Sequence, residues 1–181
     1  MPLEQIPITR SATIQNNIPG LAEHFWVAPI TWFTLLNGPM VWAAAGDSAI
    51  IDADHTFAVG KGFMKLQLDY QKNMFEGKKV GEFGSKNREY SIKGYLYGLE
   101  NEVIEGVSQL ENTELALLVK KLSKVGAGRV MQFGIPDMYA RLDDYNEFSG
   151  TVKEGYAGYE LIFTVVQPQL YEYQGLITLK P

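Results

Sequence analysis

Alternating apolar and polar residues predict that much of this chain is β-strand. Residues 62–71 (GFMKLQLDYQ) and 88–98 (REYSIKGYLYG) place an apolar or aromatic side chain at nearly every second position. That period is typical of a strand with one buried face. We interpret the two stretches as an antiparallel pair. They would be joined by a glycine- and charge-rich loop at about residues 73–87, which is too long for a tight turn.

One stretch has the spacing of a helix instead. Between residues 112 and 126, polar residues that can cap a helix precede a run of apolar side chains three and four positions apart, and glycine follows the run. The apolar side chains are Leu115, Leu118, Val119, Leu122 and Val125. The pattern predicts one amphipathic helix at about residues 112–126.

The rest of the chain contains short strand candidates separated by Gly, Pro, Asp and Asn. We therefore expect a mostly β protein, an antiparallel β-sandwich or partial barrel with one flanking α-helix, formed by residues 1–181 as a single domain. Arg10 is the only Lys or Arg among the first sixty residues. Residues 1–50 are accordingly expected to be an extended segment that packs on the body of the domain or on a neighbouring subunit.

Residues 160–175 (ELIFTVVQPQLYEYQG) contain the most apolar strand candidate, and a proline interrupts it. Leu161 to Val166 is apolar on both faces, as expected between two covering layers. After Pro168, Tyr171 and Tyr173 share one face, as expected at a rim or an interface. The sequence predicts that the strand leaves the core here and presents Tyr171 and Tyr173 at a subunit interface.

Composition excludes several classes of function. The chain has 181 residues, a formal net charge of -5 and no cysteine. The net negative charge argues against a basic face that binds phosphates, and without cysteine there is no disulfide, thiolate nucleophile or cysteine-ligated metal. Residues 24–46 carry no Asp, Glu, Lys or Arg. Prolines and a turn sequence break this stretch into short pieces, so no membrane span is expected.

Two groups of side chains are candidates for chemistry. Asp52, Asp54 and His55 resemble a metal or acid–base cluster. In an extended segment, however, His55 points away from the two carboxylates, so a polar turn is the preferred interpretation. We expect no enzyme activity, catalytic residue, metal or cofactor. Tyrosines in or beside the strands leave a carbohydrate-binding face as an alternative. They are Tyr90, Tyr95, Tyr97, Tyr156, Tyr159, Tyr171 and Tyr173.

The order of these elements resembles a family of phage structural proteins. The resemblance extends from Asp54 to Gly175 and is a pattern of strands, glycines and aromatic residues, without a signature motif. It is carried by GKGFMKLQLDYQKN, SIKGYLYG, KVGAGRVMQFG and FSGTVKEGYAGYELIFTVVQPQLYEYQG. These segments look like those of the tail tube proteins of long-tailed bacteriophages.

That resemblance implies a virion structural protein of the phage tail, assembled in the host cytoplasm. Its subunits would form hexameric rings that stack into a tube. Inner strands would close a continuous barrel through which DNA is ejected without being specifically bound, and other tail proteins are further conceivable partners. The loop at residues 73–87 would reach the next ring, through Phe75, Lys78, Lys79, Val80, Phe83 and Lys86. An adaptor or terminator ring of similar fold is the alternative within phage tails.

Overall fold

A computed structural model describes residues 21–39, 49–69, 72–82, 87–122, 128–149 and 157–181. Within these ranges the chain forms twelve β-strands, one α-helix and one 3-10 turn at Ile30–Trp32. The helix α1 is Asn101–Leu110. The strands are β1 Leu21–Pro29, β2 Phe33–Leu35, β3 Ile50–Ile51, β4 Thr56–Phe57, β5 Met64–Gln67, β6 Met74–Val80, β7 Asn87–Tyr97, β8 Leu115–Lys121, β9 Val130–Phe133, β10 Arg141–Phe148, β11 Gly158–Gln167 and β12 Tyr171–Tyr173.

The strands form three sheets, and none of them closes into a barrel. One sheet has six strands in the order β3-β12-β9-β8-β1-β5, another has four in the order β10-β11-β7-β6, and β2 pairs with β4. Neighbouring strands are antiparallel, apart from the parallel pair of β12 and β3. The prediction of a mostly β, sandwich-like protein with one α-helix is confirmed.

The main core lies between the six-stranded and four-stranded sheets. Its fully buried side chains include Phe25 and Leu117 from one sheet and Ile92, Leu161 and Phe163 from the other. Side chains of α1 complete this core along one side, at Val107 and Leu110. Burial on this scale is the principal source of stability in a domain of this size.

A second core covers the opposite face of the six-stranded sheet. Leu118, Phe63 and Tyr173 are buried there beneath Phe33 and Phe57 of the β2–β4 pair. The six-stranded sheet is thus covered on both faces. The four-stranded sheet is covered on one face, and half-buried or exposed side chains alternate with the core residues on the other.

The predicted helix at about residues 112–126 is wrong. Leu115 to Val119 are five successive buried residues in strand β8, which lies between β1 and β9. A strand covered on both faces is apolar at every position, so it contains helical spacings by chance. The helix lies earlier, at Asn101–Leu110, and no helix in the described ranges is long and apolar enough to cross a membrane.

The predicted long loop at about residues 73–87 is also wrong. Met74–Val80 is strand β6, and it pairs with β7 along its whole length, from Met74↔Lys93 to Val80↔Asn87. Strand β5, which we expected to pair with β7, pairs with β1. Only residues 81–86 connect β6 to β7, and residues 83–86 lie outside the described ranges.

Pro168 lies where the chain crosses from one sheet of the sandwich to the other. Strand β11, which ends at Gln167, belongs to the four-stranded sheet, and β12, which begins at Tyr171, belongs to the six-stranded sheet. Proline lacks an amide hydrogen, so it suits a point at which sheet pairing is exchanged. The strand therefore remains in the core, contrary to the prediction that it leaves for a surface.

Candidate functional site

His55, the histidine of the suspected catalytic cluster, is buried between the six-stranded sheet and its outer layer. Its side chain is 4% exposed and stacks on the ring of Tyr173, with centroids 4.6 Å apart. Nδ1 accepts a hydrogen bond from the backbone N–H of Asn37 at 3.1 Å. Nε2 lies 2.9 Å from Oε1 of Gln132. With Nδ1 accepting, the neutral ring carries its proton on Nε2 and donates it to Gln132.

Gln132 extends this contact into a network that ties distant segments together. Its side-chain amide donates to the backbone oxygen of Gly134 at 2.9 Å and to that of Asn37 at 3.4 Å. A second buried glutamine, Gln167, accepts from the N–H of Gly134 at 3.1 Å. Every buried side-chain N or O atom in the described ranges has a hydrogen-bond partner. The network therefore joins Asn37 and His55 to β9 and to the end of β11.

The two aspartates of the suspected cluster do not join His55 around a common point. Asp52 and Asp54 are exposed, and Oδ1 of Asp54 accepts from the backbone N–H of Leu176 at 2.6 Å. Within the described ranges no group of three His, Asp or Glu side chains could hold a metal ion. His55 links distant segments of the chain, and both of its ring nitrogens are engaged in hydrogen bonds, with Asn37 and Gln132.

Burial lowers the pKa of His55, although the hydrogen bond with Gln132 and the negative charge of Asp54 act in the opposite direction. Loss of hydration disfavours the charged imidazolium. Protonation would also place a hydrogen on Nδ1, opposite the N–H of Asn37. Charging this ring would disrupt the contacts that join Asn37 and His55 to Gln132 of the six-stranded sheet.

Stability is therefore expected to fall as the pH falls below about 6.5, the ordinary histidine pKa. Between that pH and the lower folded-state pKa the unfolded chain binds more protons, so acid favours unfolding, by at most about 1.4 kcal/mol per pH unit for this group. Urea denaturation between pH 7.5 and 5 checks this. His55→Gln should flatten the profile relative to the wild type. Equal slopes for the two proteins would contradict it.

The four-stranded sheet ends in two exposed edge strands of opposite charge. Strand β6 carries Lys78 and Lys79, both exposed, and Lys78 Nζ lies 2.8 Å from Glu89 Oε2. Strand β10 carries exposed Asp143, Asp144 and Glu147. The outer side of each strand has no partner among the described residues. Each edge presents backbone groups that another strand can bind.

Four of the six predicted inter-ring residues lie on this β6 edge or beneath it. Phe75 faces inward, where its ring meets that of Phe133 with centroids 5.5 Å apart. It is therefore part of the sandwich and not an exposed anchor. Lys78 and Lys79 are exposed, and Val80 is half-buried at the end of the strand. Phe83 and Lys86 lie outside the described residues.

Tyr171 and Tyr173, the predicted subunit interface, are core residues of the single chain. Each is 3% exposed. The Tyr173 hydroxyl donates to the backbone oxygen of Leu176 at 2.9 Å, and burial is the main cause that raises the pKa of both tyrosines. Because both side chains are already buried in the single chain, assembly could cover almost no further surface of either ring. The structure therefore contradicts the prediction that these rings become more protected in an oligomer.

The described tyrosines among those proposed for sugar stacking are engaged in contacts within the chain, and Tyr156 lies outside the described residues. On the uncovered face of the four-stranded sheet, the hydroxyl of Tyr95 donates to Glu160 at 2.8 Å and that of Tyr97 to Asp69 at 2.6 Å. Lys72 Nζ lies over both rings, 5.3 and 5.7 Å from their centroids. The ammonium covers ring faces that a sugar would need, so the geometry does not favour a carbohydrate site.

The acidic edge formed by β10 was missed by the sequence reasoning. Residues 141–148 (RLDDYNEF) contain too few apolar side chains to alternate, so they do not look like a strand. Charged side chains are, however, what natural proteins place on edge strands. A polar stretch of strand length between turn signals could have indicated an exposed edge.

Comparisons with known proteins found no relative of this chain. No family model, curated protein or solved structure matches this chain. The geometry of the described residues is therefore the basis on which a function can be proposed.

Proposed function

We propose that this is a non-enzymatic structural protein that assembles with copies of itself into rings through the β6 and β10 edges. The rings stack into a tube that conducts DNA, as in the phage tail tube proteins that the sequence resembles. One observation carries the proposal. A single four-stranded sheet ends in a lysine-bearing strand at one side and in an acidic strand at the other.

Opposite charges at the two edges favour contacts between unlike edges. β6 carries two lysines and one glutamate, while β10 carries three acidic residues and one arginine. When β6 of one copy meets β10 of the next, lysines approach carboxylates, whereas two β10 edges would repel each other. A contact between different surfaces of identical subunits generates a ring when its rotation closes, and closure leaves no free edge within the ring.

The uncovered face of the four-stranded sheet suits the inside of such a ring. The opposite face is buried in the main core, so this face is the one available to line a lumen. Its acidic side chains include Glu76, Glu89, Asp144 and Glu160, each of which lies opposite a non-acidic residue of the neighbouring strand, and Lys78, Lys93 and Arg141 lie on the same face. Carboxylates repel the DNA backbone, and a conduit must let DNA slide without binding it.

Stacking of the rings would use the connection between β6 and β7. This tip, at residues 81–86, is what remains of the predicted inter-ring loop once β6 is recognised as a strand. Phe83 and Lys86 would supply its apolar and charged contacts. We place the assembled protein in the tail of a virion, built in the host cytoplasm.

Electron microscopy of the concentrated protein, with light scattering on the same sample, tests the proposal. Stacked rings or tubes are expected at millimolar concentration. Single rings that never stack would favour an adaptor or terminator ring. A strictly monomeric species under the same conditions would refute self-assembly.

A further inference from the structure

The backbone groups on the two free edges of the four-stranded sheet point outward in defined rows. In β7 the carbonyl oxygen of Tyr95 accepts from the N–H of Asp69 at 2.9 Å, and its N–H donates to Oδ1 of Asn73 at 3.2 Å. Both groups of Tyr95 therefore point to the β6 side of the strand. This direction alternates along a strand, and opposed residues of antiparallel neighbours point either toward each other or apart, so it can be followed to both edges. The outward groups belong to Phe75, Gly77 and Lys79 on β6 and to Tyr145 and Glu147 on β10.

The strand order fixes the direction in which two copies meet in the ring proposed above. β10, β11, β7 and β6 are antiparallel to their neighbours, so β10 and β6 run in opposite directions within one subunit. Rotation about the ring axis leaves the direction of each strand along that axis unchanged. β6 of one copy therefore meets β10 of the next copy as an antiparallel pair, and the alternation continues through the contact.

Charge and backbone direction together select one register for this pair. Outward groups must lie opposite outward groups, so the permitted registers differ by two residues. In one of them Gly77 lies opposite Tyr145, and Lys78 lies opposite Asp144. A shift of two residues in one direction sets Glu76 opposite Asp144, where like charges repel. The opposite shift leaves Lys78 without a carboxylate opposite it, so the first register is the favourable one.

Closure of the sheet into a ring selects the same register on independent grounds. Asp144 pairs with Ile162, which pairs with Lys93, and Lys93 in turn pairs with Met74. In the favourable register Met74 then meets Phe148 of the next copy, four residues beyond Asp144. A rise of four residues over four strand spacings inclines the strands to the ring axis by about 35°, within the roughly 35–45° typical of barrels. The two neighbouring registers give about 20° and about 47° by the same geometry.

We propose that β6 of one subunit pairs with β10 of the next in this antiparallel register, with Lys78 opposite Asp144. The inference rests on the proposed ring assembly and specifies the contact that joins its subunits. In the free subunit the N–H of Tyr145 donates to Oδ1 of Asp144 at 2.8 Å. In the pair Lys78 attracts that carboxylate, so the N–H becomes available to the backbone oxygen of Gly77. The Lys78 ammonium, 2.8 Å from Glu89 Oε2 in the free subunit, then lies between two carboxylates.

Disulfide cross-linking tests the register directly, because the chain has no cysteine of its own. The double variant Lys78→Cys with Asp144→Cys carries one thiol on each edge. These positions form a non-hydrogen-bonded pair, whose Cα atoms approach to about 4.5 Å, within the span of a disulfide. The two edges of one subunit are three strand spacings, about 14 Å, apart, so only a bond between copies can form. Oxidation under assembly conditions should give a ladder of covalent oligomers that a reductant returns to monomer.

Two further double variants are the controls, Lys78→Cys with Asn146→Cys and Glu76→Cys with Asp144→Cys. In the proposed register their thiols lie on diagonals, with Cα atoms about 7–8 Å apart, so they should cross-link at least about tenfold more slowly. Faster cross-linking in either control, in a protein that still forms stacked rings, would overturn the register and leave the proposed function standing. Dimers formed by Lys78→Cys or by Asp144→Cys alone would show like edges in contact and would overturn it too.

Carbodiimide coupling of the wild type is a second measurement, and it requires no substitution. This reagent joins an amine directly to a carboxyl group in contact with it, so an amide between Lys78 and Asp144 is expected in the assembled protein and not in the dilute subunit. Mass spectrometry of the peptides locates the bond. Assembled rings in which Lys78 is coupled to no carboxylate of β10 would overturn the contact. A wild type that stays monomeric would refute ring assembly itself, and this inference with it.

Discussion

Reversing the charge of both β6 lysines, Lys78→Glu and Lys79→Glu, is expected to abolish assembly while the subunit stays folded. In the proposed ring these side chains face the acidic β10 edge, so the variant sets carboxylates against carboxylates. Like charges held across an interface oppose association by several kcal/mol, and each 1.4 kcal/mol is about tenfold in affinity. Light scattering should therefore show monomer at concentrations at least about a hundredfold above those at which the wild type assembles.

Matched variants separate this effect from a change in net charge. Lys61→Glu with Lys180→Glu makes the same change at exposed lysines beside Trp32, in the layer on the far side of the six-stranded sheet. That control should assemble normally. Adding Asp143→Lys and Asp144→Lys to the β6 variant exchanges the charges of the two edges and should restore assembly. Normal assembly of the β6 variant, or failure of the exchange with a folded subunit, would count against the head-to-tail edge contact.

The class of fold was predictable because period-two alternation is local. The strand at residues 88–97 and the apolar strand at 158–167 are visible in a short window, and together they indicate a β-sandwich. The location of the helix was not predictable in the same way. A run such as LALLV satisfies helical spacing and the pattern of a doubly covered strand equally well, and only its neighbours β1 and β9 decide between them.

The candidate site was harder to predict, because its contacts join distant parts of the chain. His55 meets Gln132 across 77 positions and Tyr173 across 118. The residues next to His55 in the sequence indicate neither of these partners. The β6 edge was read as a loop because Gly77 lies among charged residues, which is also how an exposed edge strand looks. Sequence alone therefore identified the lysines of that edge without identifying the strand that presents them.

Phe163→Ala is expected to destabilise the protein by about 3–5 kcal/mol, the range for a large aromatic side chain lost from a packed core. Phe163 is 0% exposed on β11, the strand between β7 and β10 in the four-stranded sheet. The loss combines the transfer free energy of the ring with the cavity left in the main core. Because whole domains are stable by only about 5–15 kcal/mol, urea denaturation should show a much lower midpoint.

Val166→Ala on the same strand is the control for this change, and it links stability to the proposed lumen. Val166 is 45% exposed and lies three residues from Phe163, on the uncovered face of the sheet. Its truncation should change the free energy of unfolding by no more than about 0.5 kcal/mol. The contrast follows from one sheet having a core face and an uncovered face. Comparable losses for both variants would mean that the second face is also packed, and a face packed within the subunit cannot line a lumen.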